Sequence, residues 1–490
     1  MAVLLIQPAI TYPEEQIAGR HQSVRQKEGY IEIGLLSIAS FLEGRGIDVT
    51  ILNMADPNVS LEDLRQAISV LRPRVIGIAC MSGYAYPGLR TYSALIKDLD
   101  PSIFILTGGQ HAAPLGQTLL EEISQVDCVI RYEGEVLTWQ VYKAVINGTP
   151  SLKDISGIIF RDSDKIVTTE GSPPLFAIDD FPFLNYTLFP NFSQYVPRLE
   201  ESRGCPFDCW FCSNASVFAR KVRYKSSGRL IEELCAIREQ YGKPEPFNFY
   251  LIAKTYGLDK EITVDFARHI SQLPFKVQWR TQSRADIIDP EILPILSTSG
   301  LRMLDLGLES ASPKMLLLMN KTRDPQEYLR KAESVIEKAA QLSGTFLKLN
   351  ILFHPGETAE TLAETLSFLF RWRSKIDAAT VSPVMVDPGA PLWHDFPSFE
   401  RRFGARLIKN EFWDSLHIYP ADPSSELSFE QMNTLSTLVS KMFQTQENYL
   451  LMRMFGGMRP GTDLEKLDQH MQDIPASLLP YAVTLNKLRP

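Results

Sequence analysis

Cysteine is scarce in this chain, six in 490 residues, and the spacing is not that of a small secreted scaffold, so disulfides are not expected to carry the fold. Positive charge is not in surplus either: 50 lysines and arginines stand against 58 aspartates and glutamates, a formal net charge of −8. A general affinity for nucleic acid needs a basic stripe that displaces phosphate counterions, and this balance argues against it. No run approaches the roughly 18 apolar residues of a membrane span. The opening Met1-Ala2-Val3-Leu4-Leu5-Ile6 has neither a basic n-region nor a cleavage site and reads as a first strand. The composition of disorder is missing too, since 44% hydrophobic and 22% charged residues are ordinary for two or three folded domains.

Three of the six cysteines are concentrated in one short stretch, Arg203-Gly204-Cys205-Pro206-Phe207-Asp208-Cys209-Trp210-Phe211-Cys212. Three thiolates can hold three irons of a four-iron cluster and leave the fourth iron open to an outside ligand. A closed electron-transfer cluster would take a fourth cysteine, and a structural zinc site a fourth Cys or His. The next cysteine, Cys235, lies 23 residues on within the helical pattern Leu230-Ile231-x2-Leu234-x2-Ile237 and reads as a small apolar core residue. A reduced cluster needs a reducing compartment, so the expected location is cytoplasmic.

The fold class expected is α/β in two parts. Residues 1–148 alternate short β-branched runs with helical periods, as in a flavodoxin-like, Rossmann-type sandwich. Strands are expected at Val3–Gln7, Asp48–Leu52, Val75–Cys80, Ile103–Thr107 and Cys128–Arg131, with helices near 33–45, 60–71, 86–98, 113–123 and 135–147. Ligands of such sheets bind beyond the carboxyl ends of the strands, which marks the loops Pro8–Pro13, Met81–Pro87 and Gly108–His111. Residues 149–197 read as a stiff Pro- and Phe-rich linker that begins with a hairpin, 157–161 and 165–169. From 198 to 394 six larger strand–helix units, with strands near 199–203, 247–252, 277–280, 302–307, 346–351 and 378–384, suggest a partial (β/α)6 barrel of TIM type. The triplet then falls just past the first strand, at the face where barrel enzymes build their sites. Asp324-Pro325 opens a helix expected to reach Gly344. Residues 395–490, with a helical period from Phe429 to Tyr449, read as a mainly helical cap. There Phe412, Trp413, Tyr419 and, just ahead, Trp393 either line an apolar cavity or form aromatic core.

With Phe211 before its last cysteine, the triplet resembles the radical S-adenosylmethionine (SAM) superfamily, and later segments resemble that family's barrel in order. Arg284-Ala285-Asp286 follows strand three. Gly307-Leu308-Glu309-Ser310-Ala311-Ser312 is similar to the family's Gly-Ile-Glu-Ser-Gly-Ser, and Pro355-Gly356-Glu357-Thr358 follows strand five. The resemblance implies a 4Fe-4S cluster on Cys205, Cys209 and Cys212, with Phe211, Arg284, Glu309, Ser310 and His354 toward SAM. The first domain resembles the cobalamin-binding domain that many such enzymes carry. Ser82, Gly83 and Tyr84 after strand three, Gly108, Gly109 and His111 after strand four, and Glu133 after strand five would then meet cobalamin. Paired glycines allow the close backbone approach such a ligand needs.

Two departures stand out. The loop after the first strand lacks the Asp-x-His-x-x-Gly whose histidine coordinates cobalt in classical cobalamin methyltransferases, a histidine that radical SAM members commonly lack too, and His21 is not placed to replace it. The second barrel strand of relatives ends in a paired acid, replaced here by Ile252-Ala253-Lys254-Thr255-Tyr256. Lys254 and Tyr256 become the candidates for catalysis, with Lys254 facing an anion of SAM or substrate or else lying snorkelled at the surface. The resemblance implies a cobalamin-dependent C-methyltransferase acting on a small molecule or peptide. One SAM would methylate cob(I)alamin, and a second would give the 5′-deoxyadenosyl radical that abstracts hydrogen before methyl is taken from methylcobalamin. A cyclase or rearrangement enzyme, a sandwich that binds no cobalamin, and a non-catalytic sensor are the alternatives. The partner implied is an electron donor such as flavodoxin or ferredoxin, with no nucleic acid and no membrane span.

Overall fold

The computed structural model describes residues 2–10, 31–172, 175–214, 220–443 and a few between 451 and 455. Residues 11–13 of the first expected loop, His21, the helical period beyond 443 and residues 456–490 of the C-terminal cap lie outside the described residues.

Two parallel sheets organise the chain. In the first, β1 (Val3–Gln7), β2 (Val49–Asn53), β3 (Val75–Ala79), β4 (Phe104–Gly108) and β5 (Cys128–Ile130) are parallel, and described helices follow them in the chain, the first at Ile33–Glu43. β1 is buried along its whole length and β3 along most of it, which suits β-branched runs with helices on both faces. The order β2-β1-β3-β4-β5 reverses direction at β1, so a crevice opens between the loops after β1 and β3. The hairpin β6 (Ile158–Asp162) and β7 (Lys165–Thr168) is not separate from this sheet. It adds two antiparallel strands to the β5 edge, because Ile158, Ile159 and Phe160 bury their side chains there.

The second sheet is six parallel strands in sequential order: β8 (Arg198–Glu200), β11 (Phe247–Ile252), β12 (Val277–Arg284), β13 (Leu301–Glu309), β14 (Phe346–Phe353) and β15 (Ala378–Pro383). Sequential order with a helix after every strand is the topology of a partial barrel. The first expected strand is broken at Glu201, since Ser202–Arg203 (β9) leaves the sheet to pair with Arg223–Tyr224 (β10). Strands three and four run further than sequence suggests, to Arg284 and Glu309. The helix after Asp324 stops at Ala339, short of Gly344. Side-chain caps start the barrel helices: Ser226, Asp259, Asp324 and Thr358 each accept a first-turn backbone N–H.

One apolar core runs from the first sheet through the connector into the second. Leu184, Tyr186 and Phe189 of the connector lie in it with Leu36, Val141, Leu199 and Phe249. The Tyr186 hydroxyl donates to the Arg198 carbonyl at 2.6 Å and accepts the Arg198 N–H at 2.9 Å, which ties the connector to the first barrel strand. No helix among the described residues is long and apolar enough to cross a membrane.

After β15 the chain forms Pro391–Phe403, a short antiparallel pair Arg406–Leu407 with Ala421–Asp422, and helices Glu411–Leu416 and Phe429–Met442. Trp393, Phe412, Trp413 and Tyr419 pack into one aromatic cluster, with Trp393 and Tyr419 stacked at 5.6 Å. That cluster also takes in Tyr84 of the first domain. A Cβ on Gly83 would meet the Leu416 carbonyl at 2.5 Å and Ile418 at 2.8 Å. We therefore expect Gly83→Ala to push residues 411–419 off the sandwich, seen as faster amide exchange in that segment with the barrel strands unchanged. Unaltered exchange there would contradict this packing.

Candidate active site

The carboxyl edges of the two sheets face each other across a cavity of about 260 Å³ that opens to solvent on one side. The sandwich contributes Gly34, Gly77, Gly108, Gly109, Gln110, Glu133 and Glu135, and the barrel contributes Arg198, Glu200, Arg203 and Lys254. Gly109 sits at φ +115, and a Cβ there would strike the Cys80 carbonyl and the Met81 sulfur at 2.7 Å, so the loop after β4 can take this path only with glycine.

The cysteine loop follows Arg203 of the cavity wall and leaves β9 at Gly204 (φ +102). Its backbone is held by barrel segments: Trp210 N–H donates to Met319 O at 2.9 Å, Leu392 N–H to Trp210 O at 2.9 Å, and Asn320 Nδ2 to Asp208 O at 2.8 Å. Cys205 Sγ touches Thr255 Oγ1 at 3.8 Å, and Cys209 Sγ accepts from Arg284 Nη1 at 3.3 Å. Burial pushes the Cys209 and Cys212 thiols up, and nearby cations oppose this, Lys321 and Arg284 at Cys209 and Lys254 at Cys212. No group of three His, Cys, Asp or Glu side chains among the described residues converges on a point that would hold a single ion. Thiols that each take a different iron of a cube need no such convergence, so the loop fits a cluster better than zinc.

Lys254 lines the cavity rather than the outer surface. Burial lowers its pKa, opposed by Cys212, Glu200, Cys205 and Glu32. Tyr256, its fellow candidate, is placed in the barrel core. Its ring is fully buried edge-on to Trp279 at 5.7 Å, because the chain has left β11 at Ile252 and turns before Tyr256, so the strand's alternation no longer sets its side. Glu309 has φ +65 at a register shift in β13 and pairs with Lys321 at 3.0 Å. Ser310 is buried, 3.0 Å from Thr365 Oγ1. His354 is fully buried between Phe211 and Phe399, and burial lowers it to about 4, so it is neutral. Its Nδ1 lies 2.8 Å from the Pro355 carbonyl, which makes that nitrogen the donor and leaves Nε2 a buried acceptor with no partner.

The other first-domain residues separate. Gly108, Gly109 and Glu133 line the cavity, while Ser82 lines a smaller crevice beside Gln7 and Pro8. Gly83 and Tyr84 instead face the C-terminal segment. His111 lies outside the cavity, edge-on to Tyr86 and 3.7 Å from Asp387 of the loop after β15, because the turn after Gly109 carries its ring to the far side of β4.

Sequence reasoning passed over Arg203. It is buried among Glu133 (3.2 Å), Glu135 (2.8 Å) and Glu200 (2.9 Å), and Arg223 also pairs with Glu133. It also passed over Gln110, which donates to Asn214 two residues after Cys212. The only signal for Arg203 was its place two residues before Cys205.

Comparison with known proteins agrees with this geometry. Residues 27–138 match the B12 binding domain and residues 200–369 the radical SAM superfamily. An uncharacterized methyltransferase of Pyrococcus horikoshii is 27% identical over 74% of this chain and 77% of its own length. The anaerobic magnesium-protoporphyrin IX monomethyl ester cyclase of Rubrivivax gelatinosus is 25% identical over 68% of this chain and 61% of its own. Among solved structures, the radical SAM methyltransferase TsrM of Kitasatospora setae superposes with a TM-score of 0.70, at 14% identity over 84% of this chain and 79% of that one. The cobalamin-dependent SAM radical enzyme OxsB gives 0.72, at 15% identity over 96% and 71%.

Two outcomes follow from the buried charges. Arg203→Met leaves Glu135 and Glu200 without their paired cation, Glu133 keeping Arg223, and is expected to lower stability by about 3–5 kcal/mol, read from the denaturant midpoint. Burial lifts Glu357 from 4.5 to about 8. A carboxyl raised on folding contributes stability fully below its unfolded pKa and loses it as pH rises toward 8. Glu357→Gln should therefore melt higher than the parent at pH 8 and close to it at pH 4.5, and equal melting at pH 8 would contradict the assignment.

Proposed function

The chain belongs to the cobalamin-binding radical SAM enzymes, and on that premise we propose that it transfers a methyl group from SAM to an unactivated carbon of a small molecule or peptide. The observation that carries this reading is one cavity wall that joins the glycine-lined edge of the sandwich to Arg203, two residues before Cys205, and to Lys254, which interacts electrostatically with Cys205 and Cys212. When bound, the 4Fe-4S cluster supplies the electron that cleaves SAM, and cobalamin serves as the methyl carrier.

The protein's own residues bind, orient and exclude water. Cys205, Cys209 and Cys212 are the donors for the cluster. Gly108 and Gly109 leave room for backbone approach to cobalamin, and Glu133 and Glu135 hold that edge against the barrel through Arg203. The His354 Nε2 acceptor is placed to receive an N–H from the nucleoside of SAM, beside the aromatic faces of Phe211 and Phe399. Lys254 sets a cation on the cavity wall, in electrostatic reach of Cys205 and Cys212. A carboxylate of SAM or substrate fits it. A flavodoxin or ferredoxin in the cytoplasm suits the electron supply that this chemistry needs.

Cyclase relatives favour a second reading, ring formation on the same two cofactors without methyl transfer. Product mass separates the two. After anaerobic loading with iron, sulfide and cobalamin, methyl transfer adds about 14 Da to the product and forms 5′-deoxyadenosine and S-adenosylhomocysteine. A hydrogen-depleted product of unchanged carbon count would replace this reading with the cyclase. Cys209→Ala should reduce SAM cleavage to background in the same assay.

A further inference from the structure

The resemblance to relatives directs Arg284 toward SAM, but its guanidinium is already committed to the protein. An arginine has five N–H donors in a fixed fork. Nε and Nη2 donate to the two carboxylate oxygens of Asp286 at 3.0 and 3.2 Å, Nη2 also donates to the Lys321 carbonyl, and Nη1 donates to Cys209 Sγ at 3.3 Å. The plane of the group is fixed further by the ring of Phe207, 3.8 Å from the guanidinium carbon. Four of the five donors are thereby used, and the one aimed toward the site meets sulfur. Arg284 is also nearly buried, so solvent does not screen its charge from that sulfur.

We propose that Arg284 is a positioning and potential-tuning residue for the cluster, acting through the Cys209 sulfur rather than as a SAM ligand. This inference rests on the reading that the triplet holds a four-iron cluster. A hydrogen bond into a ligating thiolate withdraws electron density from its iron, and a fixed cation stabilises the more negative, reduced form. Both effects raise the reduction potential, so the electron needed for SAM cleavage arrives from a less extreme donor. Asp286 holds the fork in plane, and the Lys321 carbonyl closes its far side.

The test is a potentiometric titration of the full-length, cluster-loaded protein, followed by the electron paramagnetic resonance of the reduced cluster. The double variant Arg284→Met, Asp286→Asn removes cation and carboxylate together, so neither is left buried alone. At the wild-type midpoint its reduced-to-oxidised ratio is expected to fall about tenfold, equivalent to about 59 mV for a one-electron couple. Arg284→Lys, which keeps the charge without the fork, should fall by less. A wild-type midpoint in the double variant with full iron and sulfide content overturns the proposal, as does a loss of SAM affinity at unchanged potential. Should the variants fail to fold, pulsed resonance on wild-type protein grown with guanidino-15N arginine decides: an arginine nitrogen coupled to the reduced cluster supports the assignment, and its absence overturns it. Failure to form any four-iron cluster on the three cysteines overturns the functional reading itself, a distinct result from an intact cluster that ignores Arg284.

Discussion

A single buried guanidinium sets the geometry on which the rest depends. Arg203 stands two residues before the cysteine loop and is gripped by Glu133 and Glu135 from the sandwich and by Glu200 from the first barrel strand. One charge satisfied from both domains fixes their separation, since any sliding would leave a carboxylate or the guanidinium buried and unpaired. Ser37 adds a hydroxyl that donates to Glu135 at 2.5 Å. The cavity edge and the cysteine loop are therefore built onto one rigid joint, and the apolar core through Leu184, Tyr186 and Phe189 stiffens it from behind.

The site has the character of a seam. Its walls come from strand ends of two sheets, and the contacts across it are polar: Arg203 with three carboxylates, Gln110 with Asn214, and His111 beside Asp387. On the far side the C-terminal segment closes the seam by packing Leu416 and Ile418 onto Gly83, while His417 Nε2 stands 2.8 Å from Glu122 of the sandwich. Cations are gathered around the three thiols from separate strands, Lys254 after β11, Arg284 at the end of β12 and Lys321 after β13. Buried sulfur ligands of an electron-accepting centre gain from such neighbours, because added negative charge in a low-dielectric site has little other compensation.

Much of this was legible along the chain. The parallel strands of both domains appear as β-branched runs between helical periods, and their existence follows from local pattern alone. The Cys-x3-Cys-x2-Cys spacing is a property of one loop and needs no partner to be recognised. Strand ends were less legible: β9 leaves its sheet because Arg223 and Tyr224 approach it from 20 residues downstream, and the hairpin joins the first sheet because the β5 edge is open to it. Tyr256 shows a further limit. Its neighbour Lys254 reaches the cavity, yet Tyr256 turns into the core against Trp279, and a shift of two residues past the strand end decides which side each occupies.

By itself the sequence determined the α/β class of both parts and the Cys-x3-Cys-x2-Cys spacing of one loop, because periodicity and short spacing are covalent properties of the chain. Only the tertiary structure decided which charges meet: that Glu133 and Glu135 close on Arg203, that Arg284 gives its hydrogen bond to Cys209, and that Gly83 serves the C-terminal segment. Those pairings join residues from 68 to over 300 positions apart, and a buried ion or donor selects its partner by the position that folding brings within about 3 Å, which no local pattern records.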